Sequence, residues 1–254
     1  MSHFTVGVIV DDPSRLDDVL YPYCEGAEDF YELEFYCTRD TFLEEYRQYY
    51  PDKTDDEIWE IGCQDYIEKD GELYYNYNPN AKWDWYNIGG RWRYQLKVPK
   101  GVPSVVDQGL IFEKPLPQRG RYRKVDGARI KDILWHKMNQ ATKDEIKQYA
   151  RFWDVAVEGQ PLEEGENIGF CYRPEYYRDL YGNKENYIMK QSTFYTHDLL
   201  DGIEGEWYTM GDMGWFGCDN ATGSSLDNYL NKFYDIIRNP EYQDYWFIVV
   251  DCHV

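Results

Sequence analysis

The chain has 254 residues, of which 43% are hydrophobic, so it is long enough for one large domain with a substantial core. Its formal net charge of −20 disfavours nonspecific binding to nucleic acid, which depends on Lys and Arg neutralising phosphates. The sequence has no apolar run of the roughly 18 residues that a membrane span requires and no C-x-x-C pair, so we expect a cytoplasmic protein without a membrane anchor, metal or cofactor.

Two apolar runs near the ends of the chain predict the centre of a sheet. Residues 3–10 (HFTVGVIV) and 245–250 (YWFIVV) are apolar on both faces, as is typical of strands that are covered on each side. We expect both runs to lie in one sheet. The prediction is a single α+β domain over residues 1–254, with a mixed or mainly antiparallel sheet, central terminal strands and helices packed on it.

Periodicity and capping signals predict the helices. An amphipathic pattern covers 38–50, and capping boxes begin at Thr54 and Thr142, where a Thr hydroxyl and the Glu three residues later satisfy free N–H groups. A further helix is predicted over 226–237. It should end before Pro240, since the residue preceding a proline disfavours helical geometry.

The remaining segments are predicted as strands and loops. Strands over 72–77 and 92–98 would flank an aromatic segment, 78–92, which we expect to be a loop. Residues 101–124 are rich in Pro, Gly and basic side chains, which indicates a mobile loop. That loop is either a solvated connection or a lid that gathers anions. An insert is expected around 172–190.

The aromatic segment supplies most of the candidate binding residues. Tryptophan offers a broad π face, Gly-Gly lets backbone approach a ligand, and Arg forks onto phosphate. The segment is interpreted either as the wall of a ligand site or as a Trp-rich minicore with a surface ion pair. Its candidates are Lys82, Trp83, Asp84, Trp85, Gly89, Gly90, Arg91 and Trp92.

Four further candidates lie outside this segment. Residues 211–217 again combine glycines with aromatic side chains, so Trp215, with Trp207 before it, could form the opposite wall of the pocket. The alternative is a turn that supports a strand. Lys131 and Asp132 add one cation and one acceptor. No phosphate-loop or dinucleotide-binding fingerprint occurs anywhere in the chain.

The histidines decide whether a catalytic or metal site is expected. Asp251 and His253 are two apart on a predicted strand and therefore share a face. His3 begins the other terminal strand, and we expect it at the opposite end of the sheet from His253, which disfavours a His-His-Asp metal site. His136 and His197 have no obvious partners. No catalytic residue is assigned.

Three segments resemble a known family. The start MSHFTV (1–6), the block NPNAKWDWYNIGGRW (78–92) and the end VVDCH (249–253) are similar to a family of uncharacterised proteins of tailed bacteriophages and some bacteria. The block GDMGWFG (211–217) and the pair Lys131-Asp132 also look like segments of that family. The phage setting implies an accessory protein that acts against host defence.

These observations together favour a binding protein. We expect it to sequester a small phosphorylated ligand, most plausibly a nucleotide immune signal of the cyclic oligonucleotide or cyclic ADP-ribose type. One alternative is a hydrolase that cleaves such a signal with Asp84, Asp251 and His253. Another is an inhibitor that uses its acidic, Tyr-rich surface to bind a host defence protein. Whether the chain forms a homo-oligomer is left open.

Overall fold

The computed structural model describes residues 2–106, 121–169, 172–213 and 219–254. Contacts divide the chain into two compact units. The main unit comprises Met1–Val19 and Trp85–Val254, and the inserted unit comprises Leu20–Asp84. The prediction of one domain over all 254 residues stays a prediction.

Strands and helices mix along the chain without a regular alternation, and the predicted α+β class is confirmed. The strands are β1 (His3–Val10), β2 (Glu32–Thr38), β3 (Ile67–Lys69), β4 (Glu72–Tyr77), β5 (Trp85–Ile88), β6 (Leu96–Pro99), β7 (Tyr122–Val125), β8 (Gly127–Arg129), β9 (Asp198–Asp201), β10 (Glu206–Thr209) and β11 (Trp246–His253). The helices are α1 (Leu16–Leu20), α2 (Arg39–Tyr46), α3 (Asp55–Asp65), α4 (Trp135–Met138), α5 (Lys143–Ala156), α6 (Pro174–Tyr181), α7 (Lys184–Gln191) and α8 (Gly223–Arg238).

The main unit is built on a mixed sheet with the order β10-β9-β1-β11-β5, and β8 also pairs with β11. β1 is antiparallel to β11 and parallel to β9. Both terminal strands are buried along almost their whole length, because their apolar side chains are covered on each face. The prediction that they lie at the centre of one sheet is confirmed.

The register of the two terminal strands overturns one expectation. His3 lies directly opposite His253, and Val10 lies opposite Trp246. The expectation that His3 and His253 lie at opposite ends of the sheet is wrong. In an antiparallel pair the first residue of one strand lies beside the last residue of the other.

The core of the main unit lies between this sheet and the apolar face of α8. One cluster of buried side chains joins Ile9, Leu199, Phe247 and Val249 of the sheet to Phe233 of the helix. The helix predicted over 226–237 is therefore confirmed as part of α8. Asn239 caps its C-terminal end immediately before Pro240.

Local signals place the other helices. Thr54 and Thr142 form the predicted capping boxes and begin α3 and α5, so both predictions are confirmed. The helix predicted over 38–50 begins after Thr38 but ends at Tyr46. The insert around 172–190 contains α6 and nearly all of α7.

Two predictions around the aromatic segment are wrong in part. The segment is not all loop, because residues 85–88 form β5 by antiparallel pairing with β11. The strand predicted over 92–98 begins only at Leu96, since Gly90–Trp92 is a 3-10 turn. β6 pairs with β7, which lies at the end of the predicted loop 101–124. Residues 107–120 of that loop lie outside the described residues.

The inserted unit is a small α+β layer. Its sheet has the order β2-β4-β3 with antiparallel pairs, and the strand predicted over 72–77 is confirmed as β4. Helices α2 and α3 bury Phe42 and Ile58 together with Leu73 and Cys37 of the strands. This core is separate from the one that contains the terminal strands.

Candidate functional site

The two terminal strands and β5 of the aromatic segment meet in the main unit at one end of the sheet. In the register, His3 lies opposite His253, and His253 lies opposite Trp85 of β5. Residues that are directly opposite in a sheet project from the same face. The ring centroids of His3 and His253 are 4.9 Å apart, and the Trp85 ring stacks on His253 at 4.9 Å with an interplanar angle of 18°. We call His3, Trp85, Asp251 and His253 the terminal histidine row.

Asp251 holds this row in place. Its Oδ1 lies 2.8 Å from Nδ1 of His3, and its Oδ2 accepts a hydrogen bond of 2.9 Å from the backbone N–H of Arg91. The contact with Asp251 therefore fixes the orientation of the His3 ring. The side chains of His3 and Asp251 are only 10% and 3% exposed, which makes the pair well defined.

The two glycines of the aromatic segment allow the chain to pass close to buried carboxylates. Gly89 and Gly90 have φ angles of +69° and +45°. A Cβ on Gly90 would lie 2.4 Å from Asp251, and a Cβ on Gly89 would lie 2.7 Å from Asp126. The N–H of Gly89 donates to the carbonyl of Val249 at 2.8 Å, which ties this turn to β11.

A cavity of about 540 Å³ opens on the same face of the sheet. Thr5 contributes to its lining and lies directly opposite Asp251 in the β1–β11 ladder. Trp92, one of the predicted site residues, also lines it. The lining residues are Thr5, Trp92, Arg93, Tyr94, Gln95, Lys97, Lys124, Met138, Glu145, Tyr149, Lys190, Gln191, Thr193, Phe194 and Tyr195.

We call this cavity of about 540 Å³ the cationic cavity, because most of its charged lining residues are basic. Among the lining residues that the structure describes, four are basic (Arg93, Lys97, Lys124 and Lys190) and one is acidic (Glu145), whereas the whole chain carries −20. Five aromatic residues also contribute to the wall. The combination of cations and π faces is suited to an anion that carries a planar ring.

Several of these charges are held by neighbouring groups. Nζ of Lys97 donates to the carbonyl of Lys137 at 2.8 Å. The buried Lys190 lies 2.8 Å from a carboxylate oxygen of Asp227. The pKa of Glu145 is lowered by its hydrogen bonds to Thr142 at the start of α5, with smaller contributions from the charges of Lys97 and Lys124. The charged lining residues therefore come from strands and helices that are far apart in sequence.

The other predicted residues are distributed over the molecule. Lys82, Trp83 and Asp84 belong to the inserted unit, where Trp83 is only 8% exposed. Lys131 forms an ion pair with Asp244 on the surface of the main unit.

Asp132, Trp207 and Trp215 complete the set. Asp132 ends a 3-10 turn that begins at Ile130. The indole N–H of Trp207 donates to a carboxylate oxygen of Asp198 at 2.7 Å. Trp215 lies outside the described residues. The structure thus brings Trp85, Gly89, Gly90 and Arg91 together at the terminal histidine row and places Trp92 in the cationic cavity.

A second histidine site was missed in the sequence, where His197 had no obvious partner. Its Nδ1 lies 2.7 Å from Oδ1 of Asp198, and its Nε2 lies 3.5 Å from Oδ2 of Asp219. The hydroxyl of Tyr176 donates to Asp219 at 3.2 Å. We call His197, Asp198, Asp219, Tyr176 and Trp207 the His197 cluster. Only the adjacent His-Asp pair at the start of a strand could have indicated it.

The charges of this cluster are unusual for a buried site. Burial by itself would lower the pKa of His197, but the hydrogen bond to Asp198 and the negative charges of Asp198 and Asp219 outweigh that effect and raise the pKa to about 9. The imidazole is therefore a cation at neutral pH. It forms a buried ion network that links β9 to the segments around α6 and Asp219.

Metal binding and membrane insertion each require a recognisable arrangement of residues. Within residues 2–106, 121–169, 172–213 and 219–254, no three His, Cys, Asp or Glu side chains are arranged to hold a metal ion. Across the same residues, no helix has both the length and the apolar character needed to cross a membrane. Comparison with protein-family models, curated proteins and solved structures found no match.

Proposed function

We propose that this protein binds a small phosphorylated ligand in the cationic cavity without cleaving it. The observation that carries the proposal is the excess of basic over acidic side chains around one cavity of an otherwise strongly acidic chain. Cations that cluster in a recess strengthen the electric field there, because the surrounding protein has a low dielectric constant. This field raises the local concentration of an anion.

The aromatic lining supports a nucleotide as the ligand. Trp92 and Tyr94 stand in the wall beside Arg93, so a planar base and a phosphate can contact neighbouring residues. Stacking of a base on an aromatic ring stabilises a complex by about 1–3 kcal/mol. Arg adds geometric specificity through paired hydrogen bonds to phosphate oxygens.

The family resemblance supports a role for such binding. The terminal strands and the aromatic segment resemble proteins of tailed bacteriophages, for which sequestration of a nucleotide immune signal is a fitting activity. A cyclic oligonucleotide or a cyclic ADP-ribose isomer has both the phosphate charge and the rings that the cationic cavity suits. In this proposal the protein removes the signal from solution and returns it intact.

Titration calorimetry with defined probes tests the binding step. Tripolyphosphate and ATP should bind, and their affinity should fall as salt is raised because exposed charges are screened. The double substitution Lys97→Ala with Lys124→Ala should weaken both probes by roughly tenfold or more. A matched control replaces two exposed lysines of the inserted unit, Lys53→Ala with Lys69→Ala, and should change neither affinity by more than a small factor.

Two outcomes would overturn the proposal. One is the absence of heat with every phosphorylated probe, and the other is an equal loss of affinity in the two double variants. Heating protein purified from cells that make cyclic nucleotides, followed by mass spectrometry of the released molecules, then identifies the natural ligand. Intact ligand supports sequestration.

The terminal histidine row favours one second candidate, a phosphodiesterase. Asp251 orients His3, and the ring of His253 lies beside it, so two imidazoles lie next to each other on one face. In such a reaction one imidazole takes a proton from the attacking water, whose oxygen bonds to phosphorus. The bond from phosphorus to the leaving oxygen breaks, and the second imidazole donates a proton to that oxygen. Asp84, which the sequence suggested for this reaction, lies in the inserted unit.

Product analysis separates this candidate from sequestration. Incubation with cyclic dinucleotides followed by chromatography would show linear products for an enzyme and unchanged ligand for a binding protein. If products appear, His3→Asn should abolish their formation while leaving the affinity for tripolyphosphate unchanged. If no products appear from any cyclic dinucleotide, the phosphodiesterase is excluded for this substrate class.

A further inference from the structure

A second cavity, of about 610 Å³, shares a wall with the cationic cavity. Tyr149 lines both, so the two spaces are neighbours within the main unit. We call the second space the aromatic cavity. Its lining residues are Lys147, Gln148, Tyr149, Arg151, Phe152, Glu166, Asn167, Ile168 and Tyr187.

The same two helices build both cavities. On α5, Glu145, Tyr149 and Phe152 are four and three residues apart and therefore lie on one helix face. The first lines the cationic cavity, the last lines the aromatic cavity, and Tyr149 lines both. On α7, Tyr187 and Lys190 repeat this arrangement one turn apart. The two cavities thus follow one another along the helix pair, over about 10 Å from Glu145 to Phe152.

The chemistry of the aromatic cavity is that of a ring-binding site. Tyr149, Phe152 and Tyr187 provide π faces, and the Phe152 and Tyr187 rings already stack on each other at 5.7 Å. The side chains of Gln148 and Asn167 provide amide groups of the kind that hydrogen-bond to base edges.

The charges in the lining of the aromatic cavity largely cancel. Arg151 binds the carboxylate of Glu166 through two hydrogen bonds of 2.8 Å and 2.6 Å. These bonds are the main reason that the pKa of Glu166 falls to about 2, so the pair stays ionised and mutually neutralised at neutral pH. The lining therefore lacks the excess of cations that marks the neighbouring cavity, with Lys147 as the remaining basic residue.

We infer that the two cavities bind one ligand with two parts, with its phosphate groups in the cationic cavity and a nucleobase in the aromatic cavity. Tyr149 stands where the two parts join and contacts the ligand between them. This inference rests on the proposed function and narrows its ligand class to phosphorylated nucleosides in which a base extends away from the anionic groups. Inorganic polyphosphates would fill only half of the site.

Three probes and one pair of variants test the inference by titration calorimetry. Tripolyphosphate reports on the cationic cavity, adenosine on the aromatic cavity, and ATP on both. ATP should bind roughly tenfold tighter than tripolyphosphate, and adenosine should bind more weakly than either. Tyr149→Leu should remove the advantage of ATP over tripolyphosphate, and because Tyr149 lines both cavities the readout is the ratio of the two affinities.

A second variant and a control variant show whether a loss of affinity comes from the lost contact or from misfolding. Gln148→Ala changes an exposed side chain that lines only the aromatic cavity, and it should weaken ATP but not tripolyphosphate. Tyr49→Leu changes a tyrosine that is 67% exposed on the inserted unit, and it should alter neither affinity. Circular dichroism confirms that each variant is folded.

The results separate the inference from the proposed function. If ATP and tripolyphosphate bind equally tightly and neither Tyr149→Leu nor Gln148→Ala distinguishes them, the two-part ligand is wrong while anion binding stands. If no phosphorylated probe binds, the proposed function fails and the inference fails with it. A base-dependent affinity that Tyr149→Leu removes supports both.

Discussion

The main unit contains two histidine–aspartate pairs with different surroundings. In the terminal histidine row, His3 contacts one carboxylate, that of Asp251, and the aromatic rings of Trp85 and His253. Trp85 is 41% exposed, so the row reaches the surface. In the His197 cluster, the imidazole lies between two buried carboxylates, and the indole of Trp207 holds one of them.

The difference shows that a histidine and an aspartate can form a buried ion network at one site and an oriented pair of side chains at another. A second carboxylate makes the protonated form of His197 the stable one, and a buried cation with two anionic neighbours acts as a structural network. At the other site a single carboxylate mainly orients the ring, and the remaining contacts are aromatic. We therefore assign stability to the His197 cluster, whereas the proposed ligand binding concerns the cationic cavity on the face of the sheet that carries the terminal histidine row.

The largest expected effect comes from filling the space beside Asp251. Gly90→Ala should lower the free energy of unfolding by about 3 kcal/mol, because its Cβ would lie 2.4 Å from Asp251 and would displace the carboxylate that binds His3 and Arg91. Urea unfolding measures the loss. Gly165→Ala is the matched control, since Gly165 also has a positive φ (+79°) but nothing lies within 4 Å of its Cβ position. It should cost about 1 kcal/mol, and equal losses would contradict the packing argument.

The His197 cluster should make stability depend on pH. The pKa of His197 is about 9 in the folded protein, compared with about 6.5 when the chain is unfolded. Its contribution is therefore complete below pH 6.5 and is lost as pH rises through 9. The free energy of unfolding should fall over this window by up to about 3 kcal/mol more in the wild type than in His197→Gln.

This window lies below the range in which tyrosines respond. Burial raises the pKa of Tyr229 well above its usual 10, so ionisation of Tyr229 destabilises the fold only above pH 10. Urea unfolding at a series of pH values between 6 and 9.5 measures how the free energy of unfolding changes with pH. Parallel curves for wild type and His197→Gln would refute the buried cation.

Two tryptophan substitutions compare the two pairs directly. Trp207→Phe removes the N–H that donates to Asp198 and should cost about 1.5 kcal/mol, because a buried carboxylate loses a donor. Trp85→Phe keeps a ring over His253 at a half-exposed position and should cost about 0.5 kcal/mol. Thermal and urea unfolding rank the two variants, and the reverse order would contradict the roles given to the two sites.

The smallest effect is a local change of protonation. Asp219→Asn should lower the pKa of His197 by about one unit, because one of its two anionic neighbours becomes neutral. Asp251→Asn should leave the pKa of His197 unchanged. Titration of the imidazole signals by NMR distinguishes the two variants. An equal response to both would mean that the sites are coupled.

Much of the fold could be predicted because its signals are local. The apolar runs of β1 and β11 require cover on both faces, and that requirement places both strands in the middle of a sheet. Thr54 and Thr142 begin helices through contacts that span only three residues. Such interactions depend on neighbours along the chain and are visible in it.

The site could be predicted only in fragments, because its parts come from distant segments. The register sets His3 opposite His253, and the pairing of residues 85–88 with β11 turned a predicted loop into a strand. His197 gained its second carboxylate from Asp219, which is 22 residues further along the chain. No local pattern encodes these pairings.

The amino-acid sequence by itself determined the α+β class, the central terminal strands and the capped helices, and it suggested Trp85, Arg91 and Trp92 as candidate site residues. Their signals are hydrophobic period, capping chemistry and residue type. Only the tertiary structure decided which side chains meet, where four cations surround one cavity and which glycines face carboxylates. The reason is physical: charge, burial and close approach are properties of space, and residues far apart in the chain share that space only after it folds.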